Sequence, residues 1–450
     1  MKRPDIIVVA VLLTALLALF TLDLRHTAAD STPKIFFTAE GHGQLLAGAG
    51  QAEIHVPYPV VPAGYGPKDR HEVTSAAQPQ MARAIALQVG DAKLTLVSVD
   101  LLEIDSQLLE DLKPRLPSDA GEVWVCATHT HSGMGNYDPN LLAQIAGTGR
   151  FKKAARDALM DAIAHSVGDA RGSMSGYLFA QQGLSLTDDS NRDHQPEVES
   201  SGLEVLLMPK GPDQILDLLF VAAHPTTVTR PASQLDGDYP ARLATPHDSH
   251  FVNAVFEGAL GDQSISLAGA SELFSSTRSK SLEALVERFV FRFRDLTSAD
   301  TEDTGFPPAE PPMMKPPGTL TIAQTKVELA STEIHAGPTW THRASSNLVD
   351  HLAAPHSAQL SVARLGPLTL IAVPGEPTAA AGRALREAVG DKGALILGLC
   401  NGYVGYIETP DRVAKGIGEA PRQYYDASLL SRFTSAASLA GHTLGLPARN

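Results

Sequence analysis

Five apolar runs, each ending in residues that can do chemistry, constrain this chain most. Val123–Ala127 leads into Thr128-His129-Thr130-His131, Ile215–Ala223 into His224-Pro225, and Phe251–Ala259 into Gly261-Asp262-Gln263-Ser264. Leu368–Val373 leads into Pro374-Gly375-Glu376, and Ala394–Cys400 into Asn401-Gly402-Tyr403-Val404-Gly405-Tyr406. Short runs rich in β-branched residues and bounded by turn residues predict buried strands. Segments with apolar residues at helical spacing alternate with them: Ile104–Leu116, Phe151–Val167, Lys280–Asp295 and Thr378–Val389. The alternation predicts an α/β fold, in which a site collects beyond the carboxyl ends of strands.

The remaining segments add framework. Ala82–Val89 and Leu94–Asp100 read as a hairpin turned at Gly90-Asp91. Strands Gly176–Leu184 and Gly202–Met208 flank a polar loop carrying Asn191-Arg192. The stretch from Ala47 leads into a turn-rich loop, Pro57–Pro67, with Gly64-Tyr65-Gly66 at its middle. Six prolines between Phe306 and Pro317 make Thr301–Gly318 a linker or surface excursion.

A basic head, Met1-Lys2-Arg3, precedes an apolar run from Ile6 to Leu22, the layout of an export signal. Residues 1–29 are therefore expected to be a signal peptide or an N-terminal anchor, with the protein periplasmic, secreted or membrane-tethered. Residues 46–450 form the functional domain. A formal charge of -14, with no Lys/Arg run after the leader, argues against nucleic acid and against electrostatic docking on anionic lipid. Cys126 and Cys400 are the only cysteines. They read as buried small hydrophobes, with a single bridge open to them where their strands are adjacent.

If strand geometry persists through His131, the period of two turns His129 and His131 to one side of the backbone. With His224 and Glu376 from other strand ends, the set suits zinc held with an open position, where the metal lowers the pKa of water toward about 7 and polarises a carbonyl. No H-E-x-x-H helix is present, so such a site would be non-local, and the pattern alone leaves a metal site and scattered structural histidines equally open. Ser264 lacks the G-x-S-x-G context of a nucleophile elbow.

Taken together, Ala127-Thr128-His129-Thr130-His131-Ser132-Gly133, His224-Pro225-Thr226, Gly261-Asp262-Gln263-Ser264, Pro374-Gly375-Glu376 and Asn401 to Tyr406 resemble, in order and approximate spacing, the neutral/alkaline non-lysosomal ceramidase family. The resemblance runs from about Gly48 to His442 and covers the family's catalytic domain only, without its immunoglobulin-like C-terminal domain. It implies mixed β-sheets packed in layers and flanked by helices, with the active site at strand carboxyl ends. It also implies a zinc amidohydrolase that splits ceramide into sphingoid base and fatty acid. Position by position, it implies zinc ligands at His129, His224, Glu376 and Tyr406. His131 would be the acid/base beside the metal, Ser264 a serine at the scissile amide, and Arg192 and Tyr424 further pocket groups. Two departures stand out: Ser264-Ile265-Ser266 replaces the family's usual Ser-Pro-Asn, and a rearrangement after Tyr406 leaves Tyr424 and Tyr425 as alternatives.

The expected partner is ceramide or another N-acyl lipid at a membrane surface, with no nucleic acid and no obligate protein partner. Tyr65, Met134, Tyr137, Ile407 and Leu429 are available as apolar walls for its chains. Two alternatives to attack by activated water are an acyl-enzyme on Ser264 and a non-catalytic lipid-binding or cell-surface protein that retains the fold.

Overall fold

Runs that are apolar at every position, rather than at alternate ones, belong in sheets covered on both faces. The computed structural model of the protein arranges them so. It describes residues 22–27, 32–64, 66, 70–140, 143–185, 189–192, 201–209, 214–228, 231–245, 251–265, 313–314, 318–329, 331–336 and 355–447. The principal strands are β1 (Lys34–His42), β2 (Leu45–Glu53), β3 (Met81–Val89), β4 (Ala92–Val99), β5 (Glu122–Ala127), β6 (Ser175–Ser185) and β7 (Ser201–Pro209). They continue with β8 (Ile215–Val221), β9 (Phe251–Glu257), β10 (Thr319–Glu328), β11 (Ser357–Leu365), β12 (Leu368–Ala372) and β13 (Leu395–Leu397). The longer helices are α1 (Lys153–Gly172), α2 (Ala379–Val389) and α3 (Leu429–Thr443).

The first sheet runs β9-β8-β7-β6-β2-β3-β4-β5 and the second β13-β12-β11-β10-β1. Both are mixed: β4 with β5, β8 with β9 and β12 with β13 are parallel, and the other neighbours antiparallel. The period of two sorts each strand's side chains between layers. In β3, Ile85, Leu87 and Val89 join Trp124, Phe220, Phe256, Leu320 and Leu370 between the sheets, while Ala82, Ala84 and Ala86 face Leu159 and Ile163 of α1. On the far side, Val362 and Ile371 pack against Leu385 of α2 and Phe433 of α3. The order is helix, sheet, sheet, helix, as the resemblance implied.

The first sheet curls until its distant members meet. Ser98 Oγ of β4 donates to the Val255 carbonyl of β9 at 2.6 Å. Gly398, just after β13, donates its N–H to the Glu257 carbonyl at the end of β9, 2.7 Å. Strand ends from both sheets thereby share one corner.

Several expectations need correction. β2, in the centre of the first sheet, was not legible: Gly48 and Gly50 lack the β-branched signature. Both lie beneath α1, where an added Cβ would come within 2.2 Å of the Ala170 and Ser166 carbonyl oxygens. The helix expected over Ile104–Leu116 is only Leu108–Leu112, followed by a 3-10 turn, Lys113–Arg115, that contains Pro114. The strand expected over Ala394–Cys400 stops at Leu397, because the chain turns at Leu399 and Asn401, with φ of 57° and 60°.

Cys126 and Cys400 are a disulfide rather than two free thiols. Their backbones are already paired through Ala127 N–H to the Leu399 carbonyl and Asn401 N–H to the Val125 carbonyl. The helix expected over Lys280–Asp295 and most of Thr301–Gly318 lie outside the described residues, apart from Met313–Met314, which pairs with β6. Residues 1–21 and 28–29 of the expected leader also lie outside, whereas Leu22–Thr27 pairs antiparallel with Ser331–Ala336. Among the described residues no helix is long and apolar enough to cross a membrane.

Candidate metal centre

His129 follows β5 by two residues, but strand geometry does not carry it: β5 ends at Ala127, and His129 sits in the left-handed region at φ 59°. The expected period of two therefore does not apply. The two imidazoles converge all the same, with His129 Nε2 and His131 Nε2 3.3 Å apart and the rings edge to face. His224 arrives from the end of β8, its ring centroid 5.0 Å from that of His129.

Each ring is oriented by a backbone carbonyl, which can only accept, so each Nδ1 must carry the proton. His129 Nδ1 donates to the Leu102 carbonyl at 2.7 Å. His131 Nδ1 donates to the Gly64 carbonyl at 3.1 Å, and His224 Nδ1 to those of Leu260 and Gln263 at 2.9 and 3.1 Å. The three Nε2 lone pairs are left pointing inward. Gly64 was legible only as part of a turn-rich loop. It has φ 92°, and a Cβ there would meet the His131 ring at 2.8 Å, so glycine permits the close approach.

The second sheet supplies the carboxylate. Glu376–Pro377 pairs parallel with Tyr406–Ile407, setting Glu376 beside Tyr406. Glu376 Oε2 lies 3.0 Å from His224 Nε2 and 3.4 Å from His129 Nε2, and Tyr406 Oη lies 3.1 Å from His224 Nε2. Burial opposes ionisation of Glu376, whereas positive charge on the side of His129 and His224 lowers its carboxyl well below the usual range. Burial pushes His224 down to about 4, and pushes His131 well down with the help of His129 and His224. Burial, and then the Glu376 charge, raise the phenols of Tyr406 and Tyr403 well above their ordinary value.

A neutral imidazole lone pair 3.0 Å from a carboxylate oxygen is two acceptors facing one another, and a cation between them removes the conflict. Tetrahedral bonds of about 2.0–2.1 Å put ligand atoms about 3.3–3.4 Å apart, close to the separations observed. The donors suit zinc, and among the described residues His129, His131 and His224 form a group able to hold a metal, their ligand atoms within 4.8 Å of one another.

Around this centre the structure places the other candidates. Arg192 Nε donates to Ser264 Oγ at 2.9 Å, its backbone N–H bonds the Asp262 carbonyl at 2.7 Å, and its guanidinium faces buried Glu419 at 3.8 Å. Ser264 forms a backbone bridge with His224. Asp262 serves the framework: it accepts from Ala379 N–H at the start of α2 and from the Asn191 amide, both at 2.8 Å. Tyr424, rather than Tyr425, lines the cavity, since the Tyr425 hydroxyl is spent on the Pro355 carbonyl at 2.6 Å. Two residues with no assigned role prove close to the chemistry: Tyr403, whose hydroxyl donates to Glu376 Oε1 at 2.6 Å, and Glu419.

A cavity of about 580 Å³ is lined by His129, His131, Glu376, Tyr403, Tyr406 and Tyr424, with Ser264, Arg192 and His224 outside its lining. Its apolar wall is Leu102, Pro139, Ala143, Pro355 and Tyr424. The expected wall residues Met134, Tyr137, Ile407 and Leu429 are instead buried in the core, packing loops onto the sheets, and Tyr65 lies outside the described residues. Glu103, Asp105 and Asp138 add a carboxyl-lined end to the same cavity.

No protein-family model matches the sequence, and no curated protein matches it. Solved structures do. The neutral ceramidase from Pseudomonas aeruginosa superposes with a TM-score of 0.71 at 18% identity, over 90% of this chain and 75% of that one. A ceramidase complexed with C2 gives 0.70 at 17% identity, over 91% and 76%. The chain has the fold of the neutral ceramidases.

Proposed function

We propose that this chain is a zinc-dependent amidohydrolase that cleaves the amide bond of ceramide or a related N-acyl lipid into a sphingoid base and a fatty acid. The observation that carries the reading is the convergence of acceptors from two sheets, the Nε2 atoms of His129 and His224 and Oε2 of Glu376, on one point at the base of a cavity. The shared fold with ceramidases supports the substrate class. His129, His224 and Glu376 would hold the metal, with Tyr406 as a fourth ligand.

Zinc held there supplies a Lewis acid for the amide carbonyl and a water acidic enough to attack it at neutral pH. His131, hydrogen-bonded through Nδ1 to Gly64, presents Nε2 beside that point and would take the water's proton and return it to the leaving nitrogen. Ser264 Oγ already accepts from Arg192 Nε, so its own proton is free to donate to the developing oxyanion. A guanidinium is not a base, and this arrangement favours Ser264 as donor over Ser264 as nucleophile. Tyr424 and the apolar wall would exclude water from the scissile bond. The leader over 1–29 would direct the chain out of the cytoplasm, with domain 46–450 working where lipid substrate is found, at a membrane surface.

A panel of N-acyl sphingoid amides of graded chain length, assayed with zinc, tests the reading. Amine release that rises with acyl length is expected. No release from any ceramide, alongside rapid cleavage of small polar amides, would overturn it.

A further inference from the structure

The two oxygens of Glu376 have different partners. Oε2 faces His224 Nε2 and His129 Nε2 at 3.0 and 3.4 Å, whereas Oε1 accepts from Tyr403 Oη at 2.6 Å. We propose that Tyr403 is a positioning residue for the metal centre, holding Glu376 so that Oε2 alone is presented to the ion; this rests on the zinc reading above.

The terminal torsion of a glutamate is soft, so nothing intrinsic prevents the carboxylate from swinging both oxygens toward a cation. A phenol on Oε1 removes that freedom, and a hydrogen bond to an ionised acceptor is among the stronger kinds. The donor is itself fixed. The Tyr403 ring packs against the buried cluster beneath the first sheet and meets Tyr424 edge-on, centroids 6.2 Å apart. Its loop is tied to the Glu376 loop by Val404 N–H to the Pro374 carbonyl at 2.7 Å and Glu376 N–H to the Gly405 carbonyl at 3.0 Å. Three residues upstream, Cys400 is bonded to Cys126 at the end of β5, the strand that leads to His129. Donor, carboxylate and first histidine are thus held in one frame across both sheets. Tyr403 acts on the ion only through Glu376, as outer-shell partners of metal ligands do.

The test is zinc affinity of the full chain, measured by competition between the apo protein and a chromophoric chelator. Tyr403→Phe keeps the ring and its packing and removes only the hydroxyl. Its affinity for Zn2+ is expected to fall about tenfold to a hundredfold, and the visible spectrum of its Co2+ form to change as Glu376 is released to use both oxygens. Tyr425→Phe removes another buried hydroxyl, one bonded to Pro355, and is expected to leave affinity and spectrum unchanged. Thermal unfolding of each apo protein reports whether the fold is intact, and Tyr403→Leu provides a second side chain without a donor should the first variant be unstable. Equal Zn2+ affinity and an unchanged Co2+ spectrum in a folded hydroxyl-free variant would overturn the inference while leaving the zinc reading standing. Failure of the wild type to take up Zn2+ would overturn both.

Discussion

At one end of the cavity His129, His131 and Glu376, with His224 against Glu376, bring acceptors together; at the other, Glu103, Asp105 and Asp138 bring carboxyls together. Both ends are buried, but they resolve their charge differently. At the carboxyl end Arg156 pairs with Asp105 and Asp111, and Asn140 N–H donates to Asp138 at 2.7 Å. Burial, with the neighbouring charge of Asp138, pushes the Glu103 carboxyl well up, and burial with Asp105 raises Asp138 to about 6. A shared proton is sufficient there. At the histidine end every Nδ1 already donates to a carbonyl, and burial disfavours a second proton on His224 or His131. The Tyr406 hydroxyl faces His224 Nε2 at 3.1 Å, and a cation at the shared point would satisfy the inward lone pairs and the Glu376 charge together. Equal density of ionisable groups therefore says little; what matters is whether the set contains its own donors.

The largest effect should come from making the same isosteric change at both ends. Glu376→Gln is expected to lose metal and at least about a thousandfold in turnover, since the Lewis acid goes with its ligand, and His224→Ala should behave likewise. Asp138→Asn should keep its full metal content. Metal analysis of the three variants decides this, and full zinc retention by His224→Ala would remove that histidine from the ligand set.

Next in size is Ser264→Ala. Loss of one donor to the oxyanion should lower turnover by about a hundredfold to a thousandfold with zinc intact. Rapid-quench mass spectrometry of the wild type should show no acyl adduct on the peptide containing Ser264; a trapped adduct would make the serine the nucleophile.

The smallest effect belongs to the carboxyl end. The folded pKa of Asp138, about 6, lies above its ordinary 3.8, so the stability carried by its protonated form is fully present below 3.8 and lost as pH rises through 6. Asparagine cannot ionise. Thermal unfolding followed from pH 4 to 8 should therefore show Asp138→Asn gaining on the wild type by on the order of 1–3 kcal/mol above pH 6. Parallel curves would mean that the carboxyl end ionises freely.

This contrast was only half legible in the sequence. Strand runs such as Val123–Ala127 and Leu368–Val373 announced themselves because both faces are buried, and the histidines and Glu376 stood out at their ends. The central strand β2 did not, because contact with α1 requires Gly48 and Gly50, and glycine carries no strand signal. The left-handed turn at His129 hid in a stretch that reads as extended, so the right convergence was anticipated from the wrong backbone. Tyr403 and Tyr406 were inseparable by spacing, since one bonds Glu376 and the other faces His224 through tertiary contacts. Cys126 and Cys400 pair across 274 residues, which no local pattern records.

The central claim is that the histidine end is completed by a metal that does the chemistry. Its most direct test is metal analysis of the purified protein, with ceramide hydrolysis followed through chelation and re-addition of zinc. About one zinc per chain is expected, with activity lost on chelation and restored by zinc in the same proportion as the metal. A chain that takes up no zinc, or one whose hydrolysis continues undiminished after its metal has been stripped, would contradict the account.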